Sequence, residues 1–144
     1  MADIHIEEFY HDVGKVLLNL HQRFPLQSTL YVEDISGPDQ VDEYGLHCDR
    51  FNRGFSAILW LKQQGLIHFS GSIRQEAVEN ACLTQKCFVL LHSPSKNAEK
   101  SGKSLPPSVA NDLISNISTL RKALKSGSSI AISNIVFELL ESTL

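Results

Sequence analysis

The stretch that most restricts how this chain can fold is Arg50–Ile67, RFNRGFSAILWLKQQGLI. Phe51, Phe55, Ile58 and Leu61 recur three and four residues apart, the spacing that puts them on one face of an α-helix. Gly65 follows Gln63 and Gln64. Glycine is the residue that most readily takes the left-handed turn closing a helix. Leu66 and Ile67 then start a new apolar run through His68, Phe69 and Ser70. One amphipathic helix, a glycine stop and a strand are therefore expected in direct succession.

The flanking segments build around that stretch. Ile6–Phe24 predicts a first helix, with Phe9, Val13, Val16, Leu17 and Leu20 at helical spacing and Leu18 and Phe24 widening the stripe. Glu7, Glu8 and Asp12 lie early in it, where acidic groups favour the helix dipole. Pro25 ends it, because the residue before a proline avoids helical backbone. Leu26–Ile35 contains the β-prone run Thr29-Leu30-Tyr31-Val32, and Ser36-Gly37-Pro38-Asp39 is a turn signal. Gln40–Leu46 is mostly polar, with Val41, Tyr44 and Leu46 as its apolar members, and reads as a short helix or a loop. Asp49 is the expected N-cap of the central helix.

After Leu66–Ser70, the polar group Gly71-Ser72 and Arg74-Gln75-Glu76 predicts a turn, and Ala77–Leu83 a returning strand. Thr84 is placed to cap a following helix, Gln85–His92. Ser93–Ser104 is polar and carries Lys96, Lys100 and Lys103, as a linker would. Pro106-Pro107 opens a last unit of two helices. Ser108–Lys125 has a stripe of Val109, Leu113, Ile117, Leu120 and Leu124, and Ile130–Leu144 carries Ile132, Ile135, Val136, Leu139 and Leu140. Such a hairpin has to cover its apolar stripes against the preceding domain or against a second copy, so a homodimer is one expectation. The expected organisation is 1–93 as one domain, 94–105 as linker and 106–144 as helical hairpin.

The helix that ends in Gly-Leu-Ile and turns into a strand resembles the recognition helix and wing of winged helix-turn-helix domains. Leu83-Thr84, closing the wing and leading into a lysine-containing helix, is similar to the "LT-x-K" passage of MarR- and PadR-like regulators, with Cys87 where those families often have glycine. The resemblance covers roughly the middle half of the chain. It implies an α+β fold, a winged helix with a C-terminal helical hairpin, and a small regulator that binds double-stranded DNA and controls transcription. In that docking mode the start of the recognition helix enters the major groove. Arg50, Asn52, Arg53 and Ser56 are then the candidates for reading bases, and Lys62 and Arg74 for holding phosphates. Gln40–Leu46 falls where the first helix of the helix-turn-helix is expected, and it is short.

A second reading competes. Trp60 lies seven after Arg53 and four after Ser56, and Leu59 adjoins it. An indole and a leucine on the same side make an apolar patch, and such patches mark contacts. Leu59 and Trp60 therefore predict a protein-interaction or assembly module that does not bind DNA.

Charge leaves both readings open. The net charge is −3 over 144 residues, so nothing attracts nucleic acid globally. Through residue 50 there are ten acidic residues against Lys15, Arg23 and Arg50, and from Phe51 onward ten Lys/Arg against six Asp/Glu. Nucleic-acid binding needs a basic face and not a basic total.

No phosphate-cradling glycine loop, nucleophile elbow or zinc-protease motif is present, so the chain is not expected to be an enzyme. No catalytic residue, metal ligand or cofactor is expected. Cys48, Cys82 and Cys87 are odd in number and lack zinc-site spacing, which reads as reduced, partly buried cysteine. His11 and His21 are read as solvated helix residues. The acidic, non-signal N-terminus and the lack of a long apolar run predict a cytoplasmic protein without a membrane span.

Overall fold

The computed structural model of the chain describes residues 3–95 and 115–144. It is an α+β fold, with six helices and a small antiparallel four-stranded sheet among those residues. Helix α1, Ile4–Arg23, precedes strand β1, Ser28–Tyr31, and a short helix α2, Val32–Ser36. Helix α3, Asp49–Gln63, leads into β2, Ile67–His68, β3, Gly71–Ile73, and β4, Ala77–Leu83. Helix α4 is Gln85–His92, and the last two, α5 and α6, are Asn116–Ser126 and Ser129–Glu141.

The glycine stop forms as expected. Gly65 has φ +76, its N–H donates to the Lys62 carbonyl, and the Leu66 N–H reaches back to the Leu61 carbonyl. Those two bonds satisfy carbonyls that the helix end would otherwise leave open. The turn delivers Leu66 and Ile67, both buried, straight into the sheet. Thr84 locks the other side of this junction. Its hydroxyl donates to the Gly65 carbonyl at 2.7 Å and accepts from the Cys87 N–H at 3.2 Å, capping α4.

Strand β4 is the centre of the sheet. It pairs with β1 on one side and with β2 and β3 on the other. Ile67↔Leu83, Gly71↔Glu79 and Ile73↔Ala77 keep one register, so β2 and β3 are two parts of a single hairpin arm. Its tip is Arg74-Gln75, both with positive φ, closed by a bond from the Glu76 N–H to the Ile73 carbonyl. Against β1 the register shifts between Ser28 and Leu30, opposite Asn80 at φ +55. Asparagine tolerates that backbone, and the resulting bulge twists β4.

Two expectations are corrected, and one left open between two forms is decided. Val32 does not continue the strand; it opens α2, because Val32 and Ile35 are then both buried against α3. Gln40–Leu46, read as a short helix or a loop, takes the second form. It is held by Asp42, which accepts from the N–H groups of Tyr44 and Leu46. Asp49 is not the N-cap of α3, which is Cys48, with no side-chain cap bond.

The α5–α6 hairpin packs on α1 of its own chain. Gly14 sits at that contact, where an added Cβ would come within 3.2 Å of Leu120 and 3.6 Å of Val136. The described part of the apolar stripe that raised the expectation of a homodimer packs on α1, and one core runs from Val13 and Leu17 through Ile58 and Val78 to Leu120 and Ile135. Both helices open on capping serines: Ser115 accepts from the Ser118 N–H, and Ser128, in the hairpin loop, from the Ala131 N–H. Pro94 pairs with Ser115, and Asn116 donates to the Leu90 carbonyl, so the chain re-enters beside the end of α4. Most of the expected linker and the first part of the expected Ser108–Lys125 helix lie outside the described residues.

Gly54 supplies the test of this packing. An alanine Cβ there would stand 2.7 Å from the Ser36 Cβ, although alanine is the better helix former. Gly54→Ala should therefore destabilise the protein by about 1–3 kcal/mol, the usual cost of overpacking. Ser36→Gly should recover part of that loss in the double variant, as read by denaturant unfolding of all three proteins.

Candidate functional site

Four of the residues singled out, Arg50, Arg53, Ser56 and Trp60, come together at the contact between α1 and α3. The two helices cross so that Arg50 meets Asp12, Arg53 meets Glu8, and Trp60 meets Phe9.

Arg50 donates two bonds of 2.7 Å to the two oxygens of Asp12, and its Nε lies 3.2 Å from Glu8 Oε2. Asp12 is 1% exposed. Its hydrogen bonds to Arg50 hold that guanidinium above its ordinary pKa. Arg53 Nη2 lies 3.1 Å from the same Glu8 oxygen. Both arginines expected to read bases are thus engaged by carboxylates of α1. Asp12 was expected to serve the dipole of α1; it sits three turns in and acts as a buried counter-ion instead.

The other four candidates are placed as follows. Asn52 donates to the His47 carbonyl at 3.3 Å. Ser56 is exposed beside α1. Lys62 donates to the Phe69 carbonyl at 3.1 Å and rests 4.4 Å from the centre of the Phe69 ring, a cation–π contact. Arg74 stands exposed at the tip of the β3–β4 hairpin. The structure therefore gathers Arg50, Arg53 and Ser56 at the α1 side of α3 and leaves Arg74 apart, on the hairpin.

Trp60 also faces α1. Its indole meets the Phe9 ring edge-on, with centroids 5.2 Å apart and planes at 81°. Between the helices a cleft of about 290 Å³ opens, walled by Ile6, Phe9, Ala57 and Trp60, with His5, Asp12, Arg53 and Ser56 at its polar edges. Leu59 is exposed on α3 and is not part of the cleft lining. Ile6, Glu8, Phe9 and Asp12 were not among the expected site residues. Glu8 and Asp12 are four apart, on one face of α1. That spacing was the available signal, and only the crossing helix gives it a partner.

Two histidine clusters lie outside this face. His47 is held by Asp39 through Nδ1 and stacks on Phe51. The bond to Asp39 raises the His47 pKa. Burial opposes ionisation of Asp39, but the Cys48 N–H and His47 outweigh it, and the net shift is downward. His21 is not simply solvated. Its Nε2 is 3.0 Å from that of His92, and burial, then His92, then Arg121 lower its pKa. The three cysteines are free, and burial pushes the Cys87 thiol up to about 12. Among the described residues no group of three or more His, Cys, Asp or Glu is arranged to hold a metal ion. None of the described helices is long and apolar enough to cross a membrane.

Arg50 offers a direct check on its role. Removing it strands a buried carboxylate, whereas removing Asp12 leaves a part-exposed guanidinium with Glu8 still beside it. Arg50→Ala should cost roughly 3 kcal/mol and Asp12→Ala clearly less, measured by denaturant unfolding. The two histidine clusters predict opposite pH effects. The raised His47 stabilises fully below 6.5 and loses that contribution as pH rises through its folded value. The lowered His21 stabilises above 6.5 and loses it as pH falls through its folded value. Melting temperatures from pH 5 to 8 should show His47→Gln narrowing its deficit against wild type as pH rises, and His21→Gln gaining on wild type as pH falls.

No family model matches the chain, and no curated protein or solved structure matches it. Its function has to be read from the chemistry of this face.

Proposed function

We propose that this chain is a winged-helix module that works by binding a partner protein through the face between α1 and α3. The order of elements supports the winged-helix part: a helix, a strand, two further helices and a hairpin whose second strand pairs with the first strand. The β3–β4 hairpin stands where a wing would, and α3 where a recognition helix would.

One observation carries the choice of partner. The two arginines of α3 are occupied by Glu8 and Asp12, and beside them lies an apolar cleft floored by Phe9 and Trp60. To read bases, Arg50 and Arg53 would have to leave carboxylates that are already within the same protein. Duplex DNA would also bring its phosphates toward those acids, and affinity for DNA rests largely on neutralising phosphates. An apolar cleft with a mixed polar edge is instead the make-up of a protein-binding centre, where aromatic side chains contribute most of the energy.

Double-stranded DNA is the second reading, favoured by the exposed Arg74 at the hairpin tip and by the uncharged polar stripe of Asn52 and Ser56 on α3. In that reading Arg74 and Lys62 hold phosphates. One comparison separates the two. Full-length protein is incubated with mixed genomic duplex fragments at low and at physiological salt, and in parallel used to select from a displayed peptide library. The protein reading expects no duplex retained at physiological salt, and selected peptides that shift the emission of Trp60, the single tryptophan. Enrichment of particular fragments with a steep salt dependence, and loss of that binding in Arg74→Ala, would overturn it.

A further inference from the structure

Helix α6 is apolar on both of its sides. Ile132, Ile135, Val136 and Leu139 face inward and are buried. On the outer side Ile130 is 75% exposed and Phe137 55%. Those two are seven residues apart, which puts them on one face of a helix. Asn134 and Glu141, each four residues after one of them, are exposed on the same face. Leu144 stands seven beyond Phe137 and is also exposed. The chain is still turning there, since the Leu144 N–H donates to the Glu141 carbonyl at 3.2 Å. Single exposed apolar residues are ordinary, but large ones repeating every seven form a seam of the kind along which two helices pair.

Charge on the α5–α6 hairpin is divided between its ends. Residues 121–133, around the turn, hold Arg121, Lys122 and Lys125 and no acid, whereas 134–144 hold Glu138 and Glu141 and no base. Not all of these face the seam. Arg121 acts on His21 of α1, and Glu138 shares a groove with Lys86 of α4. Glu141 lies on the seam itself, and Lys122 borders a second groove together with Asn134 of the seam.

This arrangement is complementary to itself. Two α6 helices laid antiparallel, with a twofold axis at Phe137, set Phe137 on Phe137 and Ile130 opposite Leu144. Glu141 then comes opposite Ser133 and Asn134, at the level of Lys122 of the second copy. A parallel pair would instead set Glu141 on Glu141 and Lys122 on Lys122. In a closed dimer both copies use the same residues, so a surface that matches its own inverse is what such a dimer requires.

We propose that a second copy of this chain docks on the outer face of α6, the two helices running antiparallel about Phe137 and Lys122 of each copy facing Glu141 of the other. This face is the reverse of the stripe packed on α1, and the proposal does not depend on what binds between α1 and α3. The apolar residues hold the pair, and the charges fix its direction. The 13 residues of α6 span only about 20 Å, so dimer and monomer should exchange with concentration.

Sedimentation of the full chain at rising micromolar concentration should show a mass climbing from 16.0 kDa toward twice that value. Phe137→Lys should stay monomeric throughout, with a melting temperature near wild type because the ring lies outside the core. Should that variant fail to fold, Ile130→Lys, more exposed still, takes its place. Lys122→Glu and Glu141→Lys should each weaken the dimer about ten-fold, and the double variant should recover most of that loss. A monomer at every concentration, a dimer unchanged by the lysine at position 137 or 130, or a double variant no better than the single ones would overturn the inference.

Discussion

The ion pair of Arg50 with Asp12, joined by Glu8 and Arg53, is the interaction on which the functional face depends. It links the first turn of α3 to the third turn of α1. A fully buried carboxylate is tolerated only where its charge is matched and hydrogen-bonded. Asp12, 1% exposed and gripped by two bonds of 2.7 Å, meets that condition. The pair ties the two helices together where they cross, and the cleft lies beside that contact at Trp60. The same carboxylates that position α3 also occupy the guanidinium groups it would otherwise present.

Around that contact the rest of the fold is arranged to hold α3 in place. Gly54 lets α2 approach its buried side, and Gly65 stops it at a fixed residue. Thr84 then ties the stop to the start of α4 through one hydroxyl that both donates and accepts. On the far side, α5 and α6 cover α1, so α1 is gripped between the hairpin and α3. A face built between two helices, each fixed on its other side, is suited to recognition without large rearrangement.

Local order was largely legible in the residues. The stripe of Phe51, Ile58 and Leu61, the stop at Gly65, the return at Ala77–Leu83 and the cap at Thr84 all arise from contacts between near neighbours, which periodicity and capping chemistry express directly. One strand end misled, and one segment could not be decided. Val32 ends the β-prone run Thr29–Val32, but burial of Val32 and Ile35 against α3 outweighs its preference for extended backbone and makes it the start of a helix. Gln40–Leu46 has too few apolar residues to decide its own form, and the carboxylate of Asp42 settles it as loop.

The candidate site was only half visible. By itself the sequence determined that a central amphipathic helix would carry Arg50, Arg53, Ser56 and Trp60 on related faces, because helical spacing is a local property. What those side chains meet was decided by tertiary structure. Glu8 and Asp12 are separated from Arg53 and Arg50 by 45 and 38 residues, and Phe9 stands equally remote from Trp60. A guanidinium facing solvent and one facing a buried carboxylate have the same sequence neighbours. Only the crossing of α1 over α3 distinguishes them, and that crossing is set by the shared core and not by either helix alone.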